Sequence, residues 1–267
     1  MQKLGILAGV GKLPVECAKA AKNLGYEVYS IALLPDTDSE IQQYSSKFES
    51  ISVANLEKLL EYLEQNEIKL VTMIGKVTKE LLFKAGIQPD QRAMQLIMSL
   101  TTLNDDAIML AFIEELKKIG IETFDQTSLI KTLMPAAGVL TKRAPDPREE
   151  QDIEFGFQIA KELGRLDIGQ TVVIKNRAVM ALEAIEGTDA CIKRGGDLSG
   201  GGAVVVKVAK PQQDSRFDVP TVGAKTIEVM NAAGASTLAI EADKTLLVER
   251  EKVLQLAESC NLAIVAR

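Results

Sequence analysis

The 267-residue sequence predicts an α/β protein of two domains. A chain of this length tends to divide into more than one hydrophobic core. Its first half alternates short apolar runs with helical patterns, which is typical of helices that connect parallel strands. Apolar residues make up 46% of the chain, aromatic residues only 4%, and tryptophan is absent. The interior is therefore expected to consist of Leu, Ile, Val and Ala, which suit helices packed on a parallel sheet.

The N-terminal domain is predicted over residues 1–133 as a Rossmann-like parallel sheet. Its predicted strands are LGILA (4–8), EVYSIALL (27–34), ESISV (49–53), KLVTMIG (69–75) and IETF (121–124). Helical patterns are found at 13–25, 56–65 and 92–118, with another helical stretch after residue 75. Within 92–118, Asn104, Asp105 and Asp106 predict a break or a new helix start, because aspartate is unfavourable inside a helix. A carboxylate that helps to hold a cation is the alternative for this trio.

A change in composition marks the predicted linker between the domains, residues 134–150. The run MPAAGVLTKRAPDPREEQ (134–151) contains three prolines and charges of both signs. The C-terminal α/β domain is then predicted over 151–267. Its predicted elements include a helix at 152–164 and strands at 171–175, 179–185 and 203–209, followed by alternating elements up to LAIVAR (262–267).

Composition also excludes several classes of function. The net charge of −6 argues against a broad nucleic-acid surface, which needs many Lys and Arg to displace counterions. No apolar run approaches the roughly 18 residues that span a bilayer, so a cytoplasmic protein is expected. The three cysteines are widely separated, which indicates reduced thiols. Histidine is absent, so acid–base and metal chemistry must use carboxylates, Lys, Tyr, Cys or water.

The first candidate site is the glycine turn GILAGVGKLP (5–14). A helix that begins near Leu13 would present backbone N–H groups to an anion, and Gly9 and Gly11 would let a phosphate approach closely, beside Lys12. As a dinucleotide fingerprint the run fails, because a proline occupies the third glycine position and no acid ends the second strand. A nucleotide phosphate site and a tight turn without ligand both remain open.

The second candidate site is EAIEGTDACIKRGGDLSGGG (183–202). If a helix starts at Thr188, then Asp189 lies in its first turn and Arg194 further along, with Glu186 and Gly187 just before it. These charges could form an ion-pair network. The glycine cluster 195–202 instead favours a loop that contacts a ligand, because so many glycines weaken a packed element.

The third candidate site is the end of the strand AVVVKVA and the run KPQQDSRFDVPTVG (210–223) that follows it. Phosphoryl transfer needs cations to neutralise phosphate oxygens, and carboxylates to hold Mg²⁺ or orient water. This short stretch supplies both kinds of group: Lys207, Lys210, Asp214, Arg216 and Asp218. A turn whose charges satisfy one another is the alternative.

Taken in order, these motifs, with LDIGQTVVIK (166–175), resemble the LpxI family, the UDP-2,3-diacylglucosamine pyrophosphatases of lipid A synthesis. The resemblance covers essentially the whole chain, and DIGQ, EGTD and the 210–223 run are specific together. Asn104 departs from the pattern, where glycine is expected before the two aspartates.

The resemblance implies a cytoplasmic enzyme, peripheral to the inner membrane, that uses Mg²⁺ or Mn²⁺ to hydrolyse UDP-2,3-diacylglucosamine. Water attacks the α-phosphorus, and the products are UMP and 2,3-diacylglucosamine 1-phosphate (lipid X). The family's essential aspartate is carried to Asp214, with Asp218 as the close second. A homodimer is left open, and nucleic acid is not an expected partner.

The roles assigned to the other candidates are hypotheses. Asp214 activates water or binds metal, Asp218 and Asp189 or Glu186 complete the metal shell, and Lys207, Arg194 and Arg216 bind phosphate. The remaining expected substrate contacts are Gly9, Gly11, Lys12, Leu13, Gln170, Gly187, Thr188, Lys210 and Thr221. Two rival functions remain: an ATP-dependent ligase of the ATP-grasp kind, and a nucleotide-sensing module in which the two aspartates are structural.

Overall fold

The computed structural model describes residues 1–77, 88–102, 105–212, 214–216 and 218–267, with only the backbone of Asp105 and Asp106. These residues form two compact units. The first contains residues 1–130 together with Ser215 and Arg216, and the second contains 131–214 and 218–267. Both units are α/β, which confirms the predicted class. The helical stretch expected after residue 75 and Asn104 lie outside the described residues.

The first unit contains a five-stranded parallel sheet. Its strands are β1 (Lys3–Ala8), β2 (Glu27–Ala32), β3 (Lys47–Ser50), β4 (Leu70–Ile74) and β5 (Glu122–Thr123). Their order in the sheet is β3-β2-β1-β4-β5, and every pair is parallel. β1 lies at the centre and is buried from Leu4 to Ala8, so the apolar run that predicted it is the core of the unit.

Helices cover this sheet at positions close to the predicted ones. They are α1 (Leu13–Asn23), α2 (Leu56–Gln65), α3 (Gln91–Ser99), α4 (Asp105–Lys118) and α5 (Thr127–Ile130), with a 3-10 helix at Ser39–Tyr44. In α2 the leucines at 56, 59, 60 and 63 are buried, and each contributes about 1.5–3 kcal/mol. The pattern predicted over 92–118 is two helices, and the second begins at Asp105 as the aspartate pair indicated.

The second unit contains a six-stranded mixed sheet. Its strands are β6 (Gly138–Val139), β7 (Thr171–Lys175), β8 (Ala178–Leu182), β9 (Val204–Lys207), β11 (Thr237–Ile240) and β13 (Ala263–Ala266). The order is β6-β13-β11-β9-β7-β8, with a parallel centre formed by β13, β11 and β9. A separate parallel pair joins β10 (Thr221–Val222) to β12 (Leu246–Leu247).

Four helices pack on this sheet: α6 (Pro147–Arg165), α7 (Thr188–Ser199), α8 (Ala224–Ala232) and α9 (Arg250–Ser259); a 3-10 helix lies at Lys131–Leu133. The predicted linker 134–150 contains β6 and the first turn of α6, so part of it is folded into the second unit. Pro147 has a local role, since it lies in the first turn of α6 beside the capping residue Asp146.

The glycine cluster 195–202 differs from the predicted ligand loop. Gly195 and Gly196 are inside α7, where a Cβ would lie 2.5 Å from the Cβ of Val173 and 2.3 Å from the carbonyl oxygen of Ala233, respectively. These glycines therefore allow close packing of α7. Gly200, Gly201 and Gly202 have positive φ and end the helix.

The three cysteines are free thiols, as predicted. Burial raises the pKa of the Cys17 and Cys191 thiols to about 12. In the described part of the chain, no helix is both long and apolar enough to cross a membrane.

Candidate active site

The candidate site of the second unit is built at the carboxyl end of β9, the all-valine strand that ends at Lys207. The neighbouring strands bring Thr171 opposite Lys207 on one side and Ile240 opposite it on the other. Because β7 is antiparallel to β9, its first residue and the turn after β8 reach the same edge. Residues from four distant parts of the sequence therefore converge there.

Lys207 is the central cation of this edge, and only 7% of the residue is exposed. Its ammonium donates to the Thr221 carbonyl oxygen at 2.9 Å and to Thr188 Oγ1 at 3.3 Å. The first bond joins the edge to β10, and the second joins it to the first residue of α7. Lys207, Thr188 and Thr221, predicted separately as site residues, are thus brought together.

Glu183 completes this group, and it was not among the site residues predicted from the sequence. Thr188 Oγ1 donates to Glu183 Oε1 at 2.9 Å, and the Gln170 backbone N–H lies 3.3 Å from Glu183 Oε2. The carboxylate is buried and fixes the Thr188 hydroxyl as an acceptor for Lys207. Glu183 follows the last residue of β8 directly. A charged residue at that point of a strand is the signal that could have identified it.

The amino end of α7 adds a favourable anion site beside Lys207. Gly187 precedes the helix with φ of +80°, and glycine has no side chain that could cap the first N–H groups. These N–H groups have no partner within the helix, and the helix dipole favours a negative charge there. Asp189, predicted as a metal ligand, is exposed in the first turn.

Glu186 and Arg194 form an ion pair with 2.5 Å between the guanidinium Nη2 and Oε1. Arg194 also donates to the Leu182 carbonyl at 2.8 Å. Hydrogen bonds from its own backbone N–H and from Arg194 hold the pKa of Glu186 below its usual value. The arrangement is the ion-pair network that the sequence left open, and it stabilises the turn before α7.

The 210–220 segment carries the predicted catalytic carboxylates. Lys210 Nζ contacts Asp167 Oδ1 at 2.6 Å where the segment begins. Further along, the Asp218 N–H donates to the Asp214 carbonyl at 2.9 Å, so these two residues are one turn apart. Arg216 lies between them and groups with the first unit, as does Ser215, whose hydroxyl donates to Asp125.

Gln170 lies on the strand side of the same edge. Its carbonyl oxygen accepts from the Val208 N–H at 3.0 Å. Its side-chain oxygen is buried and has no hydrogen-bond partner among the residues that the structure describes. An unsatisfied buried acceptor is costly, and a hydroxyl or N–H of a ligand would satisfy it.

The metal prediction places Asp214, Asp218 and Asp189 in one shell. Within the described residues, no three Asp, Glu or Cys side chains lie close enough together to hold a metal ion. Asp214 and Asp218 alone offer two carboxylates. Mg²⁺ is commonly bound by one or two carboxylates together with substrate phosphates and water.

The N-terminal candidates lie in the first unit, after β1. Gly9 is required by packing, since a Cβ there would lie 2.7 Å from the Lys76 carbonyl oxygen. Gly11 has φ of +102° with open space around it, and Leu13 is the first residue of α1. Lys12 Nζ forms ion pairs of 2.7 Å with Asp38 and Glu40, and these hydrogen bonds raise its pKa.

Together these features describe a two-domain α/β protein in which a buried lysine lies beside the amino end of a helix, at the carboxyl edge of the second sheet. A family model described as the LpxI N-terminal domain matches residues 3–133, and the LpxI C-terminal domain matches residues 136–265. The chain belongs to the LpxI family.

The chain is also similar along its whole length to a named relative. It is 32% identical over 276 aligned residues to the UDP-2,3-diacylglucosamine pyrophosphatase LpxI of Caulobacter vibrioides, covering 99% of this chain and 97% of the relative. The protein is therefore a homologue of that pyrophosphatase.

Solved structures give weaker likenesses. Precorrin-6A reductase CobK has a TM-score of 0.32 at 12% identity, covering 100% of this chain and 87% of that one. Phosphoribosylglycinamide synthetase of Anaerococcus prevotii has a TM-score of 0.29 at 12% identity, covering 69% of this chain and 39% of that one. These values are too low to support an argument about fold or function.

Proposed function

We propose that this protein hydrolyses the pyrophosphate of UDP-2,3-diacylglucosamine in lipid A synthesis, releasing UMP and 2,3-diacylglucosamine 1-phosphate. The family matches over both domains support this substrate, as does the 32% identity to the named pyrophosphatase over 99% of the chain. The chemistry requires a site for two linked phosphates and a means of directing water at one of them.

The observation that carries the proposal is the position of Lys207. Its buried ammonium is held at the carboxyl edge by Thr221 and Thr188, next to the amino end of α7. A pyrophosphate diester bears two negative charges, and a lysine beside uncapped helix N–H groups is complementary to them. Lys210, Arg194 and Arg216 are proposed as further phosphate contacts, and Gln170 as a donor or acceptor for the substrate's polar groups.

The water is proposed to be activated by a carboxylate, because the chain contains no histidine. Asp214 is assigned this role, and Asp218, one turn away, is its partner. As the water oxygen bonds to the α-phosphorus, the bond from that phosphorus to the bridging oxygen breaks, and the carboxylate receives the water proton. The leaving group is 2,3-diacylglucosamine 1-phosphate, and the new oxygen remains in UMP.

Mg²⁺ or Mn²⁺ is proposed as the cofactor, held by Asp214 and Asp218 with phosphate oxygens of the substrate. When bound, such an ion neutralises phosphate charge and lowers the pKa of water. The part that this chain supplies is the orientation of the phosphates by Lys207 and the acceptance of the proton by Asp214.

The substrate also suggests where the protein works. Each buried CH₂ of the two acyl chains contributes about 0.8 kcal/mol to binding, so the lipid must be sheltered while the nucleotide is cleaved. We propose a cytoplasmic enzyme that associates loosely with the surface of the inner membrane. Apolar residues of the protein would shelter the acyl chains.

The test is turnover of UDP-2,3-diacylglucosamine with Mg²⁺ in ¹⁸O-enriched water, with the products analysed by mass spectrometry. Label in UMP is expected, because water attacks the α-phosphorus. Label in the sugar phosphate would refute that site of attack. If no UMP forms with Mg²⁺ or Mn²⁺, the proposed activity is wrong, and ATP hydrolysis stimulated by a small acid would then support the ligase alternative.

A further inference from the structure

An ion pair outside the proposed catalytic group forms hydrogen bonds to the backbone just before the 210–220 segment. Lys161, on α6, and Glu241, directly after β11, are in contact through their charged ends. Glu241 Oε2 accepts from the Ala209 N–H at 2.9 Å, and Lys161 Nζ donates to the Ala209 carbonyl at 3.1 Å. Both polar groups of one backbone residue are thus held by the two members of one pair.

The charge of Glu241 is maintained despite its burial. Burial alone would raise the pKa of Glu241, but bonds from Lys161, Lys244 and the Ala209 N–H hold it below its usual value. Lys244 contacts the other carboxylate oxygen at 2.8 Å. The side chain of Glu241 is 10% exposed and that of Lys161 is 36% exposed. Even fully buried ion pairs add little stability compared with apolar packing, and exposed pairs add less, so stability alone is a poor reason for this arrangement.

The same end of α6 contacts the segment at two further points. A Cβ at Gly164 would lie 3.3 Å from the Lys210 Cα and 3.5 Å from Pro211, so this glycine lets the helix approach the segment closely. Lys210 contacts Asp167, just beyond the helix. The path of residues 209–211 is therefore fixed by α6 on one side and by Glu241 on the other.

The far end of the segment is fixed separately. The Leu246 N–H donates to the Pro220 carbonyl at 2.8 Å, and Lys207 Nζ donates to the Thr221 carbonyl at 2.9 Å. Asp214 and Asp218 lie between these two anchored ends. A displacement of the first anchor would change where the segment that carries both carboxylates leaves the sheet.

We infer that Lys161 and Glu241 are positioning residues for the hydrolysis: they hold Ala209, and through it the segment that carries Asp214 and Asp218. This inference rests on the proposed function for its effect on rate. Neither residue needs to contact substrate. Their effect is expected on the rate of the bound complex, because a displacement of about 1 Å in a catalytic group can cost about 100-fold.

The molecule contains a matched control at the opposite edge of the same sheet. Arg143 and Glu149 also form a half-buried pair, with 2.6 Å between Nη2 and Oε1. Glu149 is on α6, and Arg143 donates to Thr237, the first residue of β11. This pair therefore uses the same helix and the same strand but holds no part of the 210–220 segment.

The experiment compares Glu241→Ala and Lys161→Met with Glu149→Ala and Arg143→Met in the full-length protein. We expect the first two to lower kcat at least about ten-fold with KM changed less than about three-fold, at temperatures where every variant is folded. Lys161→Arg, which can donate to both partners, should recover most of the rate. The control pair should lower the Tm while kcat per folded molecule stays within about two-fold.

Hydrogen exchange of peptides covering 205–223 separates this inference from the proposed function. Faster exchange confined to these peptides in Glu241→Ala, but not in Glu149→Ala, would support positioning even if the wild-type protein had no pyrophosphatase activity. Unchanged exchange in Glu241→Ala with an unchanged kcat would overturn the inference. An equal loss of kcat in the control variants would also overturn it, because the effect would then reflect general loss of stability.

Discussion

Two turns, one in each unit, connect a strand to a helix and bear a nearby lysine, yet they are built differently. After β1, Gly9 is fixed by the backbone of Lys76, and Lys12 is balanced by Asp38 and Glu40. After β8, Thr188 opens α7 within a buried network of Glu183 and Lys207. In the sequence, a phosphate site and a tight turn without ligand both remained open for the glycine-rich turn. The glycines of the first turn are explained by packing and backbone conformation, whereas the polar side chains of the second turn converge from distant parts of the sequence.

The largest effect on kcat is expected from substitutions in the 210–220 segment. Asp214→Asn is expected to lower kcat about 100- to 10,000-fold, because the amide cannot accept the water proton. Substrate should still bind, as measured by equilibrium titration of the inactive variant. Asp218→Asn is the matched variant and should lose less. Full activity in Asp214→Asn would show that the catalytic carboxylate lies elsewhere.

Substitution of Lys207 and of Lys12 tests which of the two turns binds phosphate. Lys207→Met should lower kcat/KM about 100-fold or more, since one oriented donor to a phosphate oxygen is lost. Lys12→Met should lose at least about ten-fold less, because Asp38 and Glu40 already balance that charge. Steady-state kinetics of the two variants at the same ionic strength provides the measurement. The reverse ranking would move the main phosphate site to the first unit.

Removal of the Thr188 hydroxyl is expected to have a smaller effect on kcat/KM. Thr188→Val keeps the shape but removes the bonds to Lys207 and Glu183, so kcat/KM should fall about ten-fold, or about 1.4 kcal/mol. Thr188→Ser keeps the hydroxyl and should remain within about three-fold of wild type. If serine and valine behave alike, the hydroxyl is not what holds Lys207.

Glycine substitutions in the first turn should change stability more than catalysis. Gly9→Ala places a methyl group against the Lys76 backbone and should lower the free energy of unfolding by about 1–3 kcal/mol. Gly11→Ala meets no neighbour but strains a positive φ, at a cost of about 1–3 kcal/mol. Thermal unfolding gives both values. A fall in substrate affinity beyond the stability loss would show that the turn itself holds phosphate.

The smallest effect concerns the pH dependence of the Lys12 ion pairs. Asp38 accepts hydrogen bonds from Lys12 and from the Glu40 N–H, and these bonds lower the pKa of Asp38. Its contribution to stability is therefore present above the usual aspartate pKa of about 3.9 and is lost as pH falls through the lower folded value. The Tm difference between wild type and Lys12→Met should shrink across that range. A difference that grows on acidification would contradict the pairing.

Much of the fold was predictable because local pattern and tertiary role coincide. The apolar runs of β1 and β9 are the buried central strands, and the aspartates at 105 and 106 begin α4 as their poor helix propensity indicated. The 179–185 run was predicted too long, because β8 ends at Leu182. The turn that follows it leaves Ile185 fully exposed.

The candidate site was predictable only in part. Lys207 and Thr188 were predicted as site residues because they lie in conspicuous motifs, and the structure brings them into contact. Glu183, Lys161 and Glu241 were not, because each looks like an ordinary solvated charge in its own element and acquires its role from residues 5 to 80 positions away. The usable signal is a charged residue that directly follows an apolar strand, as both glutamates do.

The two sheets differ in how early they can be completed while the chain is being synthesised. The first sheet has all its strands by Thr123, so it can form while the rest of the chain is still being made. The second sheet places β13, at 263–266, between β6 and β11 in its interior. Residues near the Lys207 edge leave the ribosome well before their sheet is complete, and they depend on the last strand for a finished core.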